Sequence, residues 1–241
     1  MNKQLQTIVP DWSAPSHVNA FSSKRLGGVS QLPFSTLNLG LHVGDDPQCV
    51  EKNRQRLTNE LDLPNDPIWL NQQHTTLIQT DQEFFDDKPC DGIYTRQSGL
   101  VCAVMTADCM PVLITNKQGS EVAAVHAGWR GMAGGIIEKA IALFDAEPKD
   151  LLVWAGPTIS KGHFEIGSEV KAELGGSDCF YTENQEREGH YFCDLYGLAG
   201  ERVRSLGSAY TDCKQCTYAS QDYFSYRRDG QTGRMASLIW F

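Results

Sequence analysis

The chain has 241 residues, 41% of them hydrophobic and 21% charged, which is enough to bury a substantial core in one large domain or two small ones. A net charge of −9 argues against a non-specific nucleic-acid binder. No run approaches the roughly 18 apolar residues of a membrane span, and MNKQLQTIVPDWSAP has no apolar core of signal-peptide length. The expectation is a cytoplasmic protein whose eight cysteines stay reduced, most of them as small core side chains.

In chain order, TIVPDW and VNAFSSKRLGGVS read as short strands with a glycine turn. Arg25 stands just before Gly27-Gly28, where backbone can approach a ligand closely. LPFSTLNLGLHVGDDP is loop-like. Asp45-Asp46-Pro47 then opens a helix through CVEKNRQRLTNEL, with Asp as cap and Pro in the first turn. Ile68-Trp69-Leu70 is strand-like and leads into NQQH with His74. DDKPCDGIYTRQSG reads as a polar connection, with a turn at Asp91-Gly92.

Next comes the stretch around which the chain is organised. VCAVMTADCMPVLIT is a buried strand with Asp108-Cys109 in its middle, and EVAAVHAGWRG is a second that ends at His126. Asn116-Lys117-Gln118-Gly119 between them is a hairpin turn. GMAGGIIEKAIALFDA then has helical apolar spacing. LLVWAG, the GPTIS turn and GSEVKAEL repeat the theme of strand, turn and helix, the last entered at Ser168. GGSDCFYTENQEREGHYF reads as an exposed excursion, DLYGLAGERVRSLG as a helix and ASLIWF as a closing strand. With no repeat and no linker, residues 1–241 are expected to form a single α+β domain.

His74, Cys109 and His126 form the constellation of greatest interest. Two imidazoles and a thiolate suit zinc, and three protein ligands leave a position open for water. The spacing matches no short metal motif. The same residues admit Cys109 as nucleophile with His126 as base and Asp108 as orienting carboxylate, or simply a buried thiol with two structural imidazoles. Cys213 and Cys216 form a CxxC with no second pair to complete a zinc site, so the pair is expected to be inert. Arg227, Arg228 and Arg234, with Arg25 and Arg130, have the guanidinium forks that match phosphate oxygens, and Arg130 beside the His126 turn is the one to promote. There is no P-loop, GxGxxG after a strand, or GxSxG.

SSKRLGGVS, NLGLHVGDDP, WLNQQH, CAVMTADCMPVLI, VAAVHAGWRG, GPTIS with FEIGSEV, and YFSYRRDGQTGRMASLIWF follow one another in an order that closely resembles the YfiH-like laccase-domain family. That family is also called multicopper polyphenol oxidase-like or peptidoglycan-editing factor. The resemblance runs over almost the whole chain; residues 177–189 fit it poorly, and Cys213 stands outside it.

The resemblance implies a four-layer α/β/β/α sandwich of the cytotoxic-necrotizing-factor type. It also implies zinc on His74, Cys109 and His126. For activity it implies purine nucleoside phosphorylase chemistry on adenosine, inosine, guanosine and methylthioadenosine, with adenosine deaminase activity. The alternative it carries is a hydrolase that removes L-Ser from UDP-MurNAc-L-Ser, through zinc-bound water or a Cys109/His126 nucleophile pair. A non-catalytic zinc-binding regulator is a further reading. Copper oxidation of phenols is disfavoured, because the chain has six histidines and no HxH pair, although a His₂Cys site binds copper strongly.

From motif position, Asp108 (or Glu165) handles a proton, Arg25 and Arg130 hold phosphate, and Asn38 contacts the sugar. The expected partners are small molecules, with neither nucleic acid nor membrane.

Overall fold

The computed structural model describes residues 5–81 and 88–241. The chain contributes alternately to two sheets. Strands β1 (Thr7–Ile8), β2 (Asn19–Ser23), β13 (Met235–Trp240) and β5 (Cys102–Thr106) lie in that order in an antiparallel four-stranded sheet. A six-stranded sheet has the order β12 (Ala209–Asp212), β8 (Leu151–Ala155), β6 (Met110–Asn116), β7 (Val122–Ala127), β4 (Gly92–Thr95) and β3 (Ile78–Thr80). Its two outermost pairs are parallel and the inner ones antiparallel. A small antiparallel sheet joins β10 (Tyr181–Glu183), β11 (His190–Cys193) and β9 (Glu165–Gly167). The helices are α1 (Pro47–Glu60), α2 (Trp129–Ala133), α3 (Ile136–Ile141), α4 (Ser168–Leu174), α5 (Leu195–Ser205) and α6 (Tyr226–Asp229).

Side chains alternate across each strand, so one strand supplies two cores. Leu113 of β6 points with Ile93, Ala124 and Trp154 toward Ala20, Cys102, Val104 and Ile239 of the four-stranded sheet. Val112 and Ile114 point the other way, onto Ile136 and Ile137 of α3 and Leu198 and Val203 of α5. The outer face of the four-stranded sheet, with Phe21, Ala103 and Leu238, packs on Leu57 of α1. Strands covered on both faces lose their polar alternation, and β6 is therefore an unbroken buried run.

Several expectations hold. Asp46 caps α1, accepting from Gln48 N at 2.9 Å, with Pro47 in the first turn. The β6–β7 hairpin turns at Gly119, whose φ is +67°, and Gly119 N donates to Asn116 O. Helix α4 starts at Ser168 and the closing strand is β13.

Other expectations are corrected. Residues 101–115 are two strands in different sheets, because Asp108 takes the left-handed region at φ +89° and turns the chain from β5 into β6. The helix expected from Gly131 breaks into α2 and α3 at Gly134-Gly135, with Gly135 at φ +80°. Gly92–Thr95 is a fully buried strand rather than a polar connection. Residues 82–87, which include the Asp86-Asp87 of that connection, lie outside the described residues. The excursion at 175–192 is largely exposed, as expected, and carries β10 and most of β11. Among the described residues no helix is long and apolar enough to cross a membrane.

Candidate metal centre and the cavities beside it

The β5–β6 turn puts Cys109 where the four-stranded sheet hands the chain to the six-stranded one. His126 arrives one strand over, opposite Pro111 in the β6–β7 ladder. His74 comes from the loop before β3. Their ligand atoms all lie within 4.8 Å of one another, with Cys109 Sγ 3.6 Å from His74 Nε2. The two imidazoles meet edge to face, with ring centroids 4.9 Å apart. Among the described residues this is the single group of three or more His, Cys, Asp or Glu side chains placed to share an ion.

Asp91 builds the group. Its carboxylate is 0% exposed, and Oδ1 lies 2.7 Å from His126 Nδ1. The other imidazole nitrogen, Nε2, is therefore the one free to act as a ligand. Asp91 also accepts from the backbone N–H groups of Gln73, His74 and Thr75 and from Thr75 Oγ1. That carboxylate compensates the left-handed backbone of His74, at φ +59°. One buried side chain thus orients one imidazole and fixes the loop that carries the other. Gln72 anchors the same loop: its amide donates to Met105 O at 2.8 Å and accepts from Met105 N at 2.7 Å, pairing with the free edge of β5.

Gly128, just before α2, closes the group from below. A Cβ there would stand 2.7 Å from His74 Cδ2 and 3.1 Å from Cys109 Sγ. No other residue type fits without moving two of the three ligands.

The electrostatics follow from this geometry. Burial works against the Cys109 thiolate, but His126 and His74 beside it outweigh that and pull the thiol down to about 6. Burial would likewise neutralise His126, yet the Cys109 sulfur and the Asp91 carboxylate hold its pKa up, to about 9. For Asp91, burial is the largest single influence and raises the carboxyl, but the bonds from His126 and Thr75 together leave it lowered.

Two cavities meet at Cys109, sharing Ala107, Cys109 and Tyr226. One, about 170 Å³, is walled by Trp129, Ile159, Phe164 and Leu195, with Asp108 and Arg227 at its edge. The other, about 430 Å³, is lined by His42, Gln72, His74, His126 and Arg234 together with Met105 and Thr106. Exposed Tyr226 stands between them.

The expected site residues distribute unevenly. Cys109, His126 and His74 come together. Asp108 lies at the apolar cavity, but Oδ1 accepts from Thr217 Oγ1 at 2.6 Å and Oδ2 from Arg227 N at 2.7 Å. The carboxylate that orients an imidazole is Asp91, which the sequence reading saw as a turn. Arg25 turns away, with Nε on Ser35 O at 2.7 Å and Nη1 3.4 Å from Asp229. The adjacent Gly28 is packed against the chain's own Thr36 O, which is the close approach its lack of Cβ allows. Arg130 is exposed and stacked on Trp129 at 4.2 Å. Asn38 is 0% exposed; it donates to Gly40 O and Asp45 and accepts from Gly40 N and Arg234 N. None of Arg25, Asn38 and Arg130 lines either cavity. Glu165 pairs with Arg187 and His190. Arg228 donates to the carbonyls of Thr217, Tyr218, Ser220 and Tyr223 and braces the loop before α6.

The family model for multi-copper polyphenol oxidoreductase laccase matches residues 19–241. The chain belongs to this family. Within it, the chain is 45% identical to purine nucleoside phosphorylase YfiH of Shigella flexneri, covering 97% of this chain and 98% of the relative. It is 41% identical to a purine nucleoside phosphorylase of Haemophilus influenzae, over 98% of this chain and all of that one. A solved Neisseria meningitidis structure superposes with a TM-score of 0.90 at 38% identity, covering 99% of each chain. YfiH of Bacillus licheniformis gives 0.86 at 29% identity, over 93% of this chain and 92% of that one. The laccase in the family's description has no multinuclear copper cluster to match it among the described residues of this member, where the donors make one three-ligand site.

Proposed function

We propose that the protein is a zinc-dependent purine nucleoside phosphorylase that also deaminates adenosine. The observation that carries the reading is the meeting of an apolar, aromatic cavity and a cationic one at the His74–Cys109–His126 group. The names of the relatives supply the reaction class. His74, Cys109 and His126 would hold the zinc, as two imidazoles and a thiolate whose ligand atoms all lie within 4.8 Å of one another. Cys109 Sγ and His74 Nε2 are separated by 3.6 Å. Bound there, zinc would supply Lewis-acid polarisation.

In phosphorolysis, a phosphate oxygen bonds to ribose C1′ as the C1′–N9 bond breaks. The electron pair leaves with the purine, and the proton that phosphate gives up ends on the base. Trp129, Phe164, Ile159 and Leu195 offer the flat apolar walls that a purine requires. The ribose then lies over Ala107 and Cys109, where the cavities join. In deamination, water replaces the 6-amino group and its proton goes to the departing ammonia. Asp108 is the carboxylate that lines the site for that transfer, since a carboxylate that accepts two bonds keeps further lone pairs. The test is product analysis with inosine. Hypoxanthine and ribose 1-phosphate formed only when phosphate is present support the reading; free ribose, or no cleavage, removes it.

The run Cys109–His126–Asp91 favours one other reading, a thiol nucleophile with an oriented imidazole that attacks the amide of UDP-MurNAc-L-Ser. The Cys109 sulfur would bond to the carbonyl carbon, serine would leave with the proton from His126, and water would release the acyl group. Metal and acyl group compete for the same sulfur. Hydrolysis of this amide that survives chelation and is abolished by iodoacetamide identifies the second chemistry.

A further inference from the structure

The phosphorylase reading needs an anion-binding group, and neither arginine assigned from motif position lines a cavity. We infer that Arg234, with His42, forms the phosphate subsite, an assignment that rests on the phosphorylase reading and names the residues it requires. Arg234 lines the cationic cavity together with His42, His74, His126 and Cys109. Among the described residues the cavity lining contains no carboxylate.

Among the described residues, only one guanidinium nitrogen of Arg234 is engaged. Nη1 donates to Thr232 O and Gly233 O, both at 3.1 Å. Nε and Nη2 have no partner among the described residues, and no ion pair there includes Arg234. These two nitrogens form the fork edge that matches two phosphate oxygens. The backbone is held in turn, since Arg234 N donates to the Oδ1 of buried Asn38 at 2.9 Å. Asn38, expected to contact sugar, thus positions the arginine. Gly40 belongs to the same device: a Cβ there would meet Arg234 Cγ at 2.9 Å and His42 Cε1 at 3.4 Å.

A second arginine deepens the positive field. Arg54 donates Nε and Nη2 to Leu39 O, stacks on Trp69 at 4.1 Å and reaches Met105 Sδ in the wall of the same cavity. Arg54 has both its forked nitrogens on a carbonyl, so it contributes charge rather than contact, whereas Arg234 offers donors. An anion held there would sit beside the junction at Cys109, placing its oxygens on the opposite side of the ribose from the apolar cavity.

The test is calorimetric titration of inorganic phosphate into the protein as purified, with metal content measured, for wild type, Arg234→Gln and Arg234→Lys. Arg234→Gln should weaken phosphate at least tenfold, because a charge-assisted pair is lost. Arg234→Lys should recover part of the loss, and inosine affinity without phosphate should stay within about twofold of wild type. In turnover, the phosphate KM should rise while the inosine KM holds. Unchanged phosphate affinity in Arg234→Gln overturns the assignment. So does phosphate binding that chelation abolishes and Arg234→Gln leaves intact, since the anion would then be held by the metal alone. Should Arg234→Gln lose its metal or melt early, His42→Gln takes its place: weaker phosphate with metal intact supports the subsite, and unchanged phosphate overturns it. Phosphate bound through Arg234 by a protein that cleaves no nucleoside retains the subsite and sinks the phosphorylase reading. Phosphorolysis indifferent to Arg234→Gln does the reverse.

Discussion

Asp91 does the most with one side chain, accepting a hydrogen bond from His126 on one oxygen and bonds from three successive backbone amides of the His74 loop between its two oxygens. Partners of this kind to metal-binding histidines typically govern affinity by 10- to 100-fold. Asp91→Asn should therefore lower metal affinity by about that factor in a competitive chelator titration while the protein still folds; wild-type affinity would show that the loop and the imidazole hold themselves. Cys109 gives a pH test. In metal-stripped protein its thiol, drawn to about 6, is mostly thiolate at neutral pH. Iodoacetamide labelling should thus be level from pH 7 upward and fall as pH drops through about 6. An ordinary thiol with pKa near 8.5 would still be climbing at pH 8, and that profile would contradict the thiolate–imidazolium pairing. At this scale the sequence yielded the two imidazoles and the thiol, whose donor chemistry is visible in the residue types. Asp91 was hidden among 30 acidic residues, because nothing local says which carboxylate lies 35 positions from its histidine in sequence and 2.7 Å away in space. Arg234 was visible as one of a basic group, but selecting it from its neighbours required knowing that Arg228 and Arg25 are committed to other partners.

Among the elements, the turns decide the site. The left-handed Asp108 ends β5 and starts β6, and Gly128 lets α2 begin directly beneath the ligands. Gly128→Ala should displace His74 and Cys109 by the few tenths of an ångström or more that a Cβ demands. The expected outcome is metal content well below wild type with an unchanged far-ultraviolet circular dichroism spectrum; full metal content would mean that the ligands yield without cost. Elements with strong local signals were legible: the Asp46-Pro47 start of α1, the hairpin at Gly119 and the apolar spacing that places Ile136 and Ile137 on the sheet. Two failures have separate causes. Residues 101–115 look like one strand because β5 and β6 are buried on both faces, so the apolar pattern carries no mark of the change of sheet. Gly92–Thr95 is too short, between a Gly and a polar run, for alternation to appear.

Across the molecule, the His74–Cys109–His126 group ties together segments distant in sequence. His74 comes from a loop fixed to β5 of the four-stranded sheet, while Cys109 and His126 belong to the strands and turns of the six-stranded one. Metal binding to the native arrangement alone should therefore add to global stability by linkage. The α+β class followed from the order of apolar periods in the sequence. The way the sheets pack, with Leu113 and Trp154 facing Val104 and Ile239, was not readable from it, because period-2 patterning says which residues share a face but not which sheet that face meets. The same holds for the two cavities, which take their walls from strands, loops and α6 brought together only by the fold. The most direct measurement is elemental analysis of protein purified without an affinity tag, comparing wild type with Cys109→Ala. The account predicts about one zinc per chain in wild type and its loss in the variant, with a lower melting temperature that added zinc no longer raises. No metal in either protein, or equal zinc in both, would contradict it.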